Sequence, residues 1–484
     1  MVRLFKYAFG AVFLLAPFLA YSAVLHVPGE YATIQEAVDA ASDGDTVLLA
    51  DGTYSGVGNR GIQWDARAKH LVIRSENGRD LCIIDCQEED RAFLLNQGQD
   101  RRDHIGGLTI RNGKIFGPGG AICIISTSPR ILNCLMENNS SFCINLDSYY
   151  GGGAIAVYDS AAPLIKGNII RNNSTCSMGG GVRYDQRASG VLENNIIVGN
   201  KSNSMGGGGI CVSHFSDPLI INNLIARNVA DDPGYGGYGG GIYSSHSGPK
   251  IINNTIVYNS TGNFFVPGNG GGIAISKWLP QPVIKNCIIW SNESGSDSRN
   301  IQCEWNQWMD ISYCNVEEDL GHIFELLPHT NMDSPPQFID PDKGNFQLLP
   351  GSPSVNMGTP DTSGLNLPSQ DLDGRERIID GRVDMGAYEF HKPTGLAAVK
   401  LDQEFRVYPN PVSGQLFLEK LKNVNRGDLL VIIYDASGKR ILENTILRND
   451  RISSINMGRE AKGLYLLTLV SKGQVLYRQK IVKN

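Results

Sequence analysis

A tetrapeptide of the form Gly-Gly-small-aliphatic occurs six times in this chain, at intervals of 27 to 33 residues. The copies begin at Gly119, Gly152, Gly179, Gly207, Gly239 and Gly270. Repetition at such a period is typical of a solenoid, in which each unit contacts only its neighbours. Helical repeats need amphipathic 3.6-residue periodicity, whereas these units hold short β-branched runs broken by Gly and Asn. The sequence therefore predicts a solenoid built of strands.

Each copy is followed by two aliphatic positions five residues apart, with a polar pair between them. The first position is filled by Ile131, Ile165, Leu192, Ile220, Ile251 and Ile284, and the second by Met136, Ile170, Ile197, Ile225, Ile256 and Ile289. Asn in the polar pair tolerates the left-handed backbone of a sharp bend, so each unit is strand, bend, strand. Parallel stacking would place equivalent residues about 4.8 Å apart. We expect a hydrogen-bonded ladder of Asn112, Asn139, Asn173, Asn200, Asn228, Asn259 and Asn292.

This pattern is that of an all-β, right-handed parallel β-helix, predicted here over residues 23–325. The repeats resemble the pectate-lyase-like superfamily. The Gly-Gly-Ala-Ile units are also similar to those of bacterial polymorphic outer-membrane proteins. In the second half of that motif an aliphatic residue replaces Phe, as in Ile169–Asn172. The resemblance implies the coil rather than a particular activity.

Both ends of such a stack need covers, since an open end exposes strand edges and core. Thr33-Ile-Gln-Glu36 is a capping box that predicts a short amphipathic helix to about Ala41, followed by a first strand at Val47–Ala50. Toward the other end, Pro335–Pro341, Leu349–Pro353 and Asp371–Glu389 are similar to the choice-of-anchor Q module, which implies a cap over 326–391. Four aspartates there, Asp371, Asp373, Asp380 and Asp384, suggest either a cation site or Asx-turns.

The two termini carry targeting signals. Residues 1–22 have a positive start, an apolar core and a small-x-small cleavage site, as in a signal peptide, and the mature chain has no predicted transmembrane segment. After a linker at 392–404, the segments Phe405–Pro411, Ile433–Lys439 and Gly463–Leu466 resemble the type A sorting domain of type IX secretion. The resemblance implies an Ig-like β-sandwich over 405–484, the secretion machinery as partner, and an extracellular or outer-surface location on a Gram-negative bacterium.

Cysteine usage and charge add two expectations. Ten Cys in an exported chain permit disulfides, and Cys143 with Cys176, in equivalent loops of adjacent coils, is the best candidate pair. Cys134 and Cys287 take a bend position normally held by Asn and are expected to be buried thiols. The formal net charge of −6 argues against nucleic acid as a partner.

The strand after each Gly-Gly motif is expected to form a long exposed face, where lyases of the resembled superfamily commonly have their site. Aligned coils place His214, His246 and Lys277 in one column with Arg183 nearby, and these four are the catalytic candidates. Uronate β-elimination needs a base and a cation, which these residue types supply. Candidate binding residues are Tyr158, Asp159, Asp185, Tyr243, Trp278 and Trp290. No metal site or cofactor is predicted, because the face has no carboxylate cluster for Ca²⁺.

Two functions remain open from sequence. One is binding, adhesion or structural display on glycans or another surface, with an extracellular or surface polysaccharide as partner. The other is a polysaccharide lyase or glycoside hydrolase acting on an acidic polysaccharide along the exposed strand face. The fold hosts both classes, so fold does not decide between them.

Overall fold

The computed structural model describes residues 22–143, 150–204, 206–232, 234, 236–262, 268–276, 280–295, 300–303, 310–317, 330–379, 381–391, 405–420, 429–435, 439–446, 452–471 and 474–484. The predicted linker and nearly all of the predicted signal peptide lie outside these residues. The chain divides into two compact units, one ending at Phe390 and the other starting at His391.

The first unit is a parallel solenoid with four sheets, named A to D here, which the chain visits in the order A, B, D, C. Sheet A has eleven strands: Val24–Val27, Thr46–Leu49, Val72–Ser75, His104–Gly106, Arg130–Leu132, Leu164–Lys166, Val191–Glu193, Leu219–Ile221, Lys250–Ile252, Val283–Lys285 and Asp310–Ser312. Sheet B has ten: Gly52–Ser55, Cys82–Asp85, Thr109–Arg111, Leu135–Glu137, Ile169–Arg171, Ile196–Val198, Leu224–Ala226, Thr255–Val257, Ile288–Trp290 and Asn315–Val316.

The other two sheets flank each Gly-Gly motif. Sheet D, before it, has six strands: Lys114–Phe116, Ser140–Phe142, Ser174–Thr175, Lys201–Ser202, Val229–Ala230 and Ser260–Thr261. Sheet C, after it, has eight: Phe93–Leu95, Ile122–Ile125, Ile155–Tyr158, Val182–Tyr184, Ile210–Ser213, Ile242–Ser245, Ile273–Ser276 and Ile301–Cys303. The predicted strand-bend-strand units are sheets A and B, and the two predicted aliphatic columns are in register and fully buried.

The start of the stack is covered by the predicted helix, which spans Ile34–Ala40. Both halves of the capping box are present, with Thr33 accepting from the Glu36 backbone, and Ile34, Ala37 and Val38 are buried. The expected first strand is in fact the second. Val24–Val27 pairs parallel with Thr46–Leu49, and its alternating exposure explains why it was not identified from an apolar run.

The predicted Asn ladder is confirmed from Asn139 onward. Each Nδ2 donates to the Oδ1 of the next Asn at 2.9–3.0 Å through Asn173, Asn200, Asn228, Asn259 and Asn292. Asn300 extends the column by one rung. Asn112 is not a member, contrary to expectation. Strand register aligns it with the left-handed bend residue Asn138, so Gly113 takes the ladder position and donates its N–H to Asn139.

A second buried ladder runs along the A–B bends through Asn168, Asn195, Asn223 and Asn254. Cys134 and Cys287 continue it at either end, as expected, and both are buried thiols. The predicted disulfide between Cys143 and Cys176 is present, with Cα atoms 6.0 Å apart.

Residues 330–390 pack along the outer face of sheet B. They include an antiparallel hairpin, Phe338–Asp340 and Asn345–Leu348, joined by the 3₁₀ turn Pro341–Lys343. Phe346, Ala387 and Tyr388 cover apolar residues of that sheet, which include Leu224 and Val257. The segment expected to close the end of the helix stacks on the last coil through Met332, which pairs parallel with Asn315. It also covers the flank, because the outer face of sheet B is apolar in the last coils.

The second unit is a two-sheet antiparallel sandwich, as predicted. One sheet contains Phe405–Tyr408, Gln415–Lys420 and Ile452–Asn456, and the other Leu429–Asp435, Arg440–Ile446, Gly463–Ser471 and Gln474–Lys483. Side chains from both sheets form one buried core. Within the described part of the whole chain, no helix has the length and apolarity required to cross a membrane.

Candidate functional site

The outer face of sheet C has the predicted register. Cys123, Ala156, Arg183, Cys211, Tyr243 and Ala274 are cross-strand neighbours in that order. All six are nevertheless buried, with Arg183 only 2% exposed and Tyr243 7%. The expectation of an exposed strand face is therefore wrong at this column.

The cover comes from residues just before each Gly-Gly motif. A Cβ on Gly206 would lie 2.2 Å from the Tyr243 ring, and one on Gly151 would lie 2.8 Å from Cδ of Arg183. Met178 contacts Cys211 at 3.8 Å between sulfur atoms, and the Tyr238 ring faces Tyr243 at 6.0 Å. Glycine at two of these positions allows the backbone to approach the large side chains of the sheet closely.

Arg183 and Asp185 form a buried ion pair beneath this cover. Nη2 of Arg183 donates to Oδ2 of Asp185 at 2.6 Å, and Asp185 is fully buried. Nη1 donates to the Tyr150 carbonyl and to Ser177, and the guanidinium lies 5.8 Å from the Tyr158 ring centre. Because its charge is neutralised and enclosed, Arg183 cannot contact the carboxylate of a substrate.

His214 connects this buried pair to the surface. Its Nδ1 lies 2.6 Å from Oδ1 of Asp185, while its side chain is 51% exposed. Asp185, held beside Arg183, is the acceptor in this contact, so Nδ1 of His214 is the donor and Nε2 is the ring nitrogen outside it. Asp185 thus fixes the tautomer and the orientation of an exposed imidazole.

His214 belongs to an exposed row at the bends that join sheet C to sheet A, which we name the bend ridge. Its members are Ser126, Asp159, Ser160, Gln186, Arg187, His214, Phe215 and His246, all exposed and all with φ between 50° and 60° or slightly above. His214 and His246 are on adjacent coils, as predicted, since the Phe215 N–H donates to the His246 carbonyl at 2.7 Å. Nδ1 of His246 contacts Ser245 Oγ at 3.1 Å.

The remaining candidates are dispersed. Asp159 is on the ridge and accepts from Ser126 Oγ at 2.5 Å. Tyr158 is 7% exposed, and burial raises the pKa of its phenol above the usual range. The Tyr243 hydroxyl forms a hydrogen bond with Ser276 Oγ at 2.9 Å. Trp290 is on sheet B and packs against the 330–390 segment, so it is not part of this face.

Lys277 and Trp278, the last two candidates, lie outside the described residues.

Among the described residues, one group has the composition of a metal site, namely His70, Asp100 and Asp103. Asp103 is fully occupied by the protein, since it accepts from the Leu71 and Asp100 N–H groups, Trp64 and His70. Asp100 binds Arg102, which holds the pKa of that carboxyl down at about 2. This group is therefore a turn-stabilising network.

The aspartates of the flanking segment behave in the same way. Asp371 accepts from the N–H groups of Asp373, Arg375 and Glu389. Asp384 accepts from the Asn356 and Phe390 N–H groups. The contact of Asp371 with the Asp373 N–H is an Asx-turn, as in the second sequence interpretation, and the contacts with Glu389, Asn356 and Phe390 join more distant parts of the segment. Asp380 lies outside the described residues.

Comparison with known proteins gives two family matches. Residues 53–225 match the right-handed beta helix region, and residues 406–484 match the secretion system C-terminal sorting domain. The chain is a right-handed parallel β-helix followed by a type IX secretion sorting domain. A sorting domain of this kind indicates export to the cell surface or extracellular space through that secretion machinery.

Among solved structures, the pectate lyase Pel9A is similar, with 12% sequence identity and a TM-score of 0.45. The match covers 76% of this chain and 97% of that one. No curated protein matches this exported β-helix protein.

Sequence reasoning did not identify Arg187 and Phe215 as candidates, although Phe215 is 57% exposed. Their positions in the repeat are a sequence signal that could have identified them. Each directly follows a residue of the predicted column that contains Gln186 and His214, and neither is Gly or Asn, the types that a left-handed bend favours.

Proposed function

We propose that this exported β-helix protein binds polysaccharide along the bend ridge. The observation that carries the proposal is backbone strain at exposed positions. On three consecutive coils, paired left-handed residues are Asp159-Ser160, Gln186-Arg187 and His214-Phe215. Non-Gly residues held in that region cost about 1–3 kcal/mol each in the general case, and such strain concentrates at functional sites.

The A–B bends of the same coils provide the comparison. Their left-handed positions are Asn133, Gly167, Asn194, Asn222, Asn253 and Asn286, all residue types that adopt this conformation with little strain. In the last coil the position is Tyr313, which packs against the 330–390 segment. The corner that follows sheet B holds Gln87-Glu88, Arg227 and Tyr258 in the same conformation. Gln87 accepts from Gly56 and Arg60, Glu88 pairs with Lys114, Arg227 donates to the Pro341 carbonyl, and the Tyr258 ring lies near Phe346. These strained side chains therefore have partners within the protein, whereas Gln186, Arg187 and Phe215 are exposed on the ridge.

The ridge has the chemistry that carbohydrate recognition uses. The Phe215 ring offers an apolar face to a pyranose ring, while Asp159, Gln186 and Arg187 offer acceptors and donors for hydroxyl groups. Successive coils repeat these groups at about 4.8 Å along a straight line. A linear, repetitive polymer is therefore the natural ligand class.

The alternative is a lyase, and one observation favours it. The buried Asp185 carboxylate accepts from Nδ1 of His214 and so fixes the tautomer in which this residue, as a base, would take a proton at Nε2. Arg183 is excluded as the cation that neutralises a uronate, because it is buried and paired with Asp185. A lyase at this ridge would use His214 as base and would need its cation from elsewhere.

The deciding experiment measures binding and turnover together. The purified protein is titrated with neutral, uronate-containing and sulfated polysaccharides, and the absorbance of unsaturated sugar ends is followed in parallel. Phe215→Ala should weaken binding about tenfold, since the substitution removes both the buried ring area and a geometric contribution of roughly 0.5–1.5 kcal/mol. Phe142→Ala, on sheet D and 38% exposed, is the matched control and should bind as the wild type.

The outcomes separate the two functions. Binding without unsaturated ends supports the binding protein. Unsaturated ends that vanish in His214→Ala and fall in Asp185→Asn support the lyase. Wild-type affinity in Phe215→Ala, or loss of affinity only in Phe142→Ala, would contradict polysaccharide binding at the ridge.

The same proposal includes the cellular setting. We infer that residues 1–22 are cleaved as a signal peptide, and that the host is a Gram-negative bacterium whose outer membrane the sorting domain helps the chain to cross. The segment 326–391 remains predicted as a choice-of-anchor Q module. The mature protein is released or held at the cell surface.

A further inference from the structure

A cleft of about 560 Å³ opens on sheet A, at the bend that follows the strand Val72–Ser75. The cleft is separate from the bend ridge, because the cleft lies at the A–B bend of the coil and the ridge lies at the C–A bend. Its lining residues are Arg74, Ser75, Glu76, Gly78, Arg79, Asp80, His104, Gly106, Gly107, Leu132, Asn133 and Gly167.

Three arginines at this cleft lack a carboxylate partner among the described residues. Arg74 and Arg79 line it, and Arg130 is the cross-strand neighbour of His104. Arg79 reaches the Gly167 carbonyl at 3.2 Å, and Arg74 the Ser75 carbonyl at 3.2 Å, so neither charge is neutralised by these bonds. Further along the same face, Lys166 is paired with Glu193 at 2.7 Å.

His104 lies close to two of these arginines, in a cleft that also has the carboxylates of Glu76 and Asp80 in its lining. Its pKa is lowered to about 4 by burial and then by the charges of Arg130 and Arg74. Its ring folds over Gly106, where a Cβ would lie 2.3 Å from Nε2. That Nε2 is buried and has no hydrogen-bond partner among the described residues.

We propose that this cleft binds an acidic sugar unit of a glycan, through a carboxylate or sulfate group held by Arg74 and Arg79. Guanidinium groups recognise both oxyanions with paired, charge-assisted hydrogen bonds. The cleft volume lies in the range of small-molecule sites, about 300–1,000 Å³, and exceeds what a bare ion needs. Glu76 and Asn133 supply acceptors for sugar hydroxyls. The site does not depend on the function proposed for the ridge.

The test is isothermal titration of the purified protein with four probes: a galacturonate oligomer, a sulfated oligosaccharide, a neutral oligosaccharide and inorganic sulfate. Arg74→Gln should weaken binding of the preferred acidic oligomer about tenfold or more, as expected for loss of a charge-assisted bond. Lys250→Gln is the matched control. It removes one exposed positive charge from the same sheet, in the column of Arg130. It should leave affinity unchanged.

A second measurement reports on the site itself. In NMR titration, the bound oxyanion should raise the His104 pKa above about 4, because it offsets the field of the arginines. The two acidic probes identify carboxylate or sulfate as the recognised group.

Four results would overturn the proposal: no binding of either acidic oligomer, equal loss in Arg74→Gln and Lys250→Gln, equal affinity for inorganic sulfate, or an unchanged His104 titration. If ridge variants lose polysaccharide while the cleft still binds, or the reverse, the two sites are distinguished.

Discussion

Replacement of one ladder residue tests how the solenoid is held together. Asn200 is fully buried, and its side chain makes four hydrogen bonds. Nδ2 donates to the Ile170 carbonyl at 2.9 Å and to Asn228 Oδ1 at 3.0 Å. Oδ1 accepts from the N–H and the Nδ2 of Asn173 at 3.0 and 2.9 Å. Asn200→Ala removes all four.

The cost follows from which groups keep another partner. Nδ2 of Asn173 still donates to the Met136 carbonyl, and Oδ1 of Asn228 still accepts from the backbone of residue 200. The Asn173 N–H loses the partner that the structure gives it. One orphaned buried N–H costs about 1–3 kcal/mol, and three partial losses cost about 1 kcal/mol each or less. We expect a loss of roughly 3–5 kcal/mol in the free energy of local unfolding of the coils around residue 200.

Hydrogen exchange followed by mass spectrometry is the appropriate assay, because repeat stability is local and a single unfolding free energy is not well defined. Faster exchange is expected around residues 165–230, with the coils near the N-terminal helix unchanged. Asn203→Ala is the control. Asn203 is exposed and directly follows the sheet D strand Lys201–Ser202, and its substitution should change stability by less than about 0.5 kcal/mol. Equal protection in both variants would refute a stabilising ladder.

Three other perturbations test separate features. Arg183→Met should lower stability by about 3–5 kcal/mol in thermal unfolding, because Asp185 is left buried without its cation, and adding Asp185→Asn should restore part of it. The His104 pKa of about 4, below its ordinary 6.5, contributes stability that is lost as pH falls from 6.5 toward 4. In His104→Gln, the urea midpoint should depend less on pH over that range. The difference corresponds to at most about 3 kcal/mol of stability. Deletion of 405–484 should leave the chain in the periplasm by immunoblotting, and normal surface delivery would contradict the sorting role.

Strand register could be predicted from the repeat, because stacked coils align equivalent residues. Cys211 and Tyr243 are cross-strand partners, as their offsets from the Gly-Gly motifs indicate. A shift of one residue was enough to misplace Asn112, since Asn suits both the left-handed bend and the inward ladder position. Side-chain type could not separate the two roles there.

Exposure of the candidate face could not be predicted, because the cover comes from the preceding turn rather than from the strand. Because Gly151 and Gly206 have no side chain, that turn packs directly against Arg183 and Tyr243. A third small residue before the Gly-Gly pair is a sequence sign of such close approach, but its consequence depends on the side chain of the neighbouring coil. Asp185 was placed among binding residues, whereas it is a buried positioning group for His214.

The location of strain in this fold argues for where its function is found. Inward residues and both Asn ladders determine the coil, and there the residue types agree with the backbone they adopt. On the bend ridge, Arg187 and Phe215 adopt φ of 63° and 62° without contributing to the core. Substitution by Gly there should relieve strain and stabilise the protein slightly, by about 0.5–1 kcal/mol or more. Retention of these side chains at an energetic disadvantage is expected only if a ligand contacts them. Phe215→Gly should therefore raise stability while it weakens polysaccharide binding, and a variant that loses both would indicate a packing role instead.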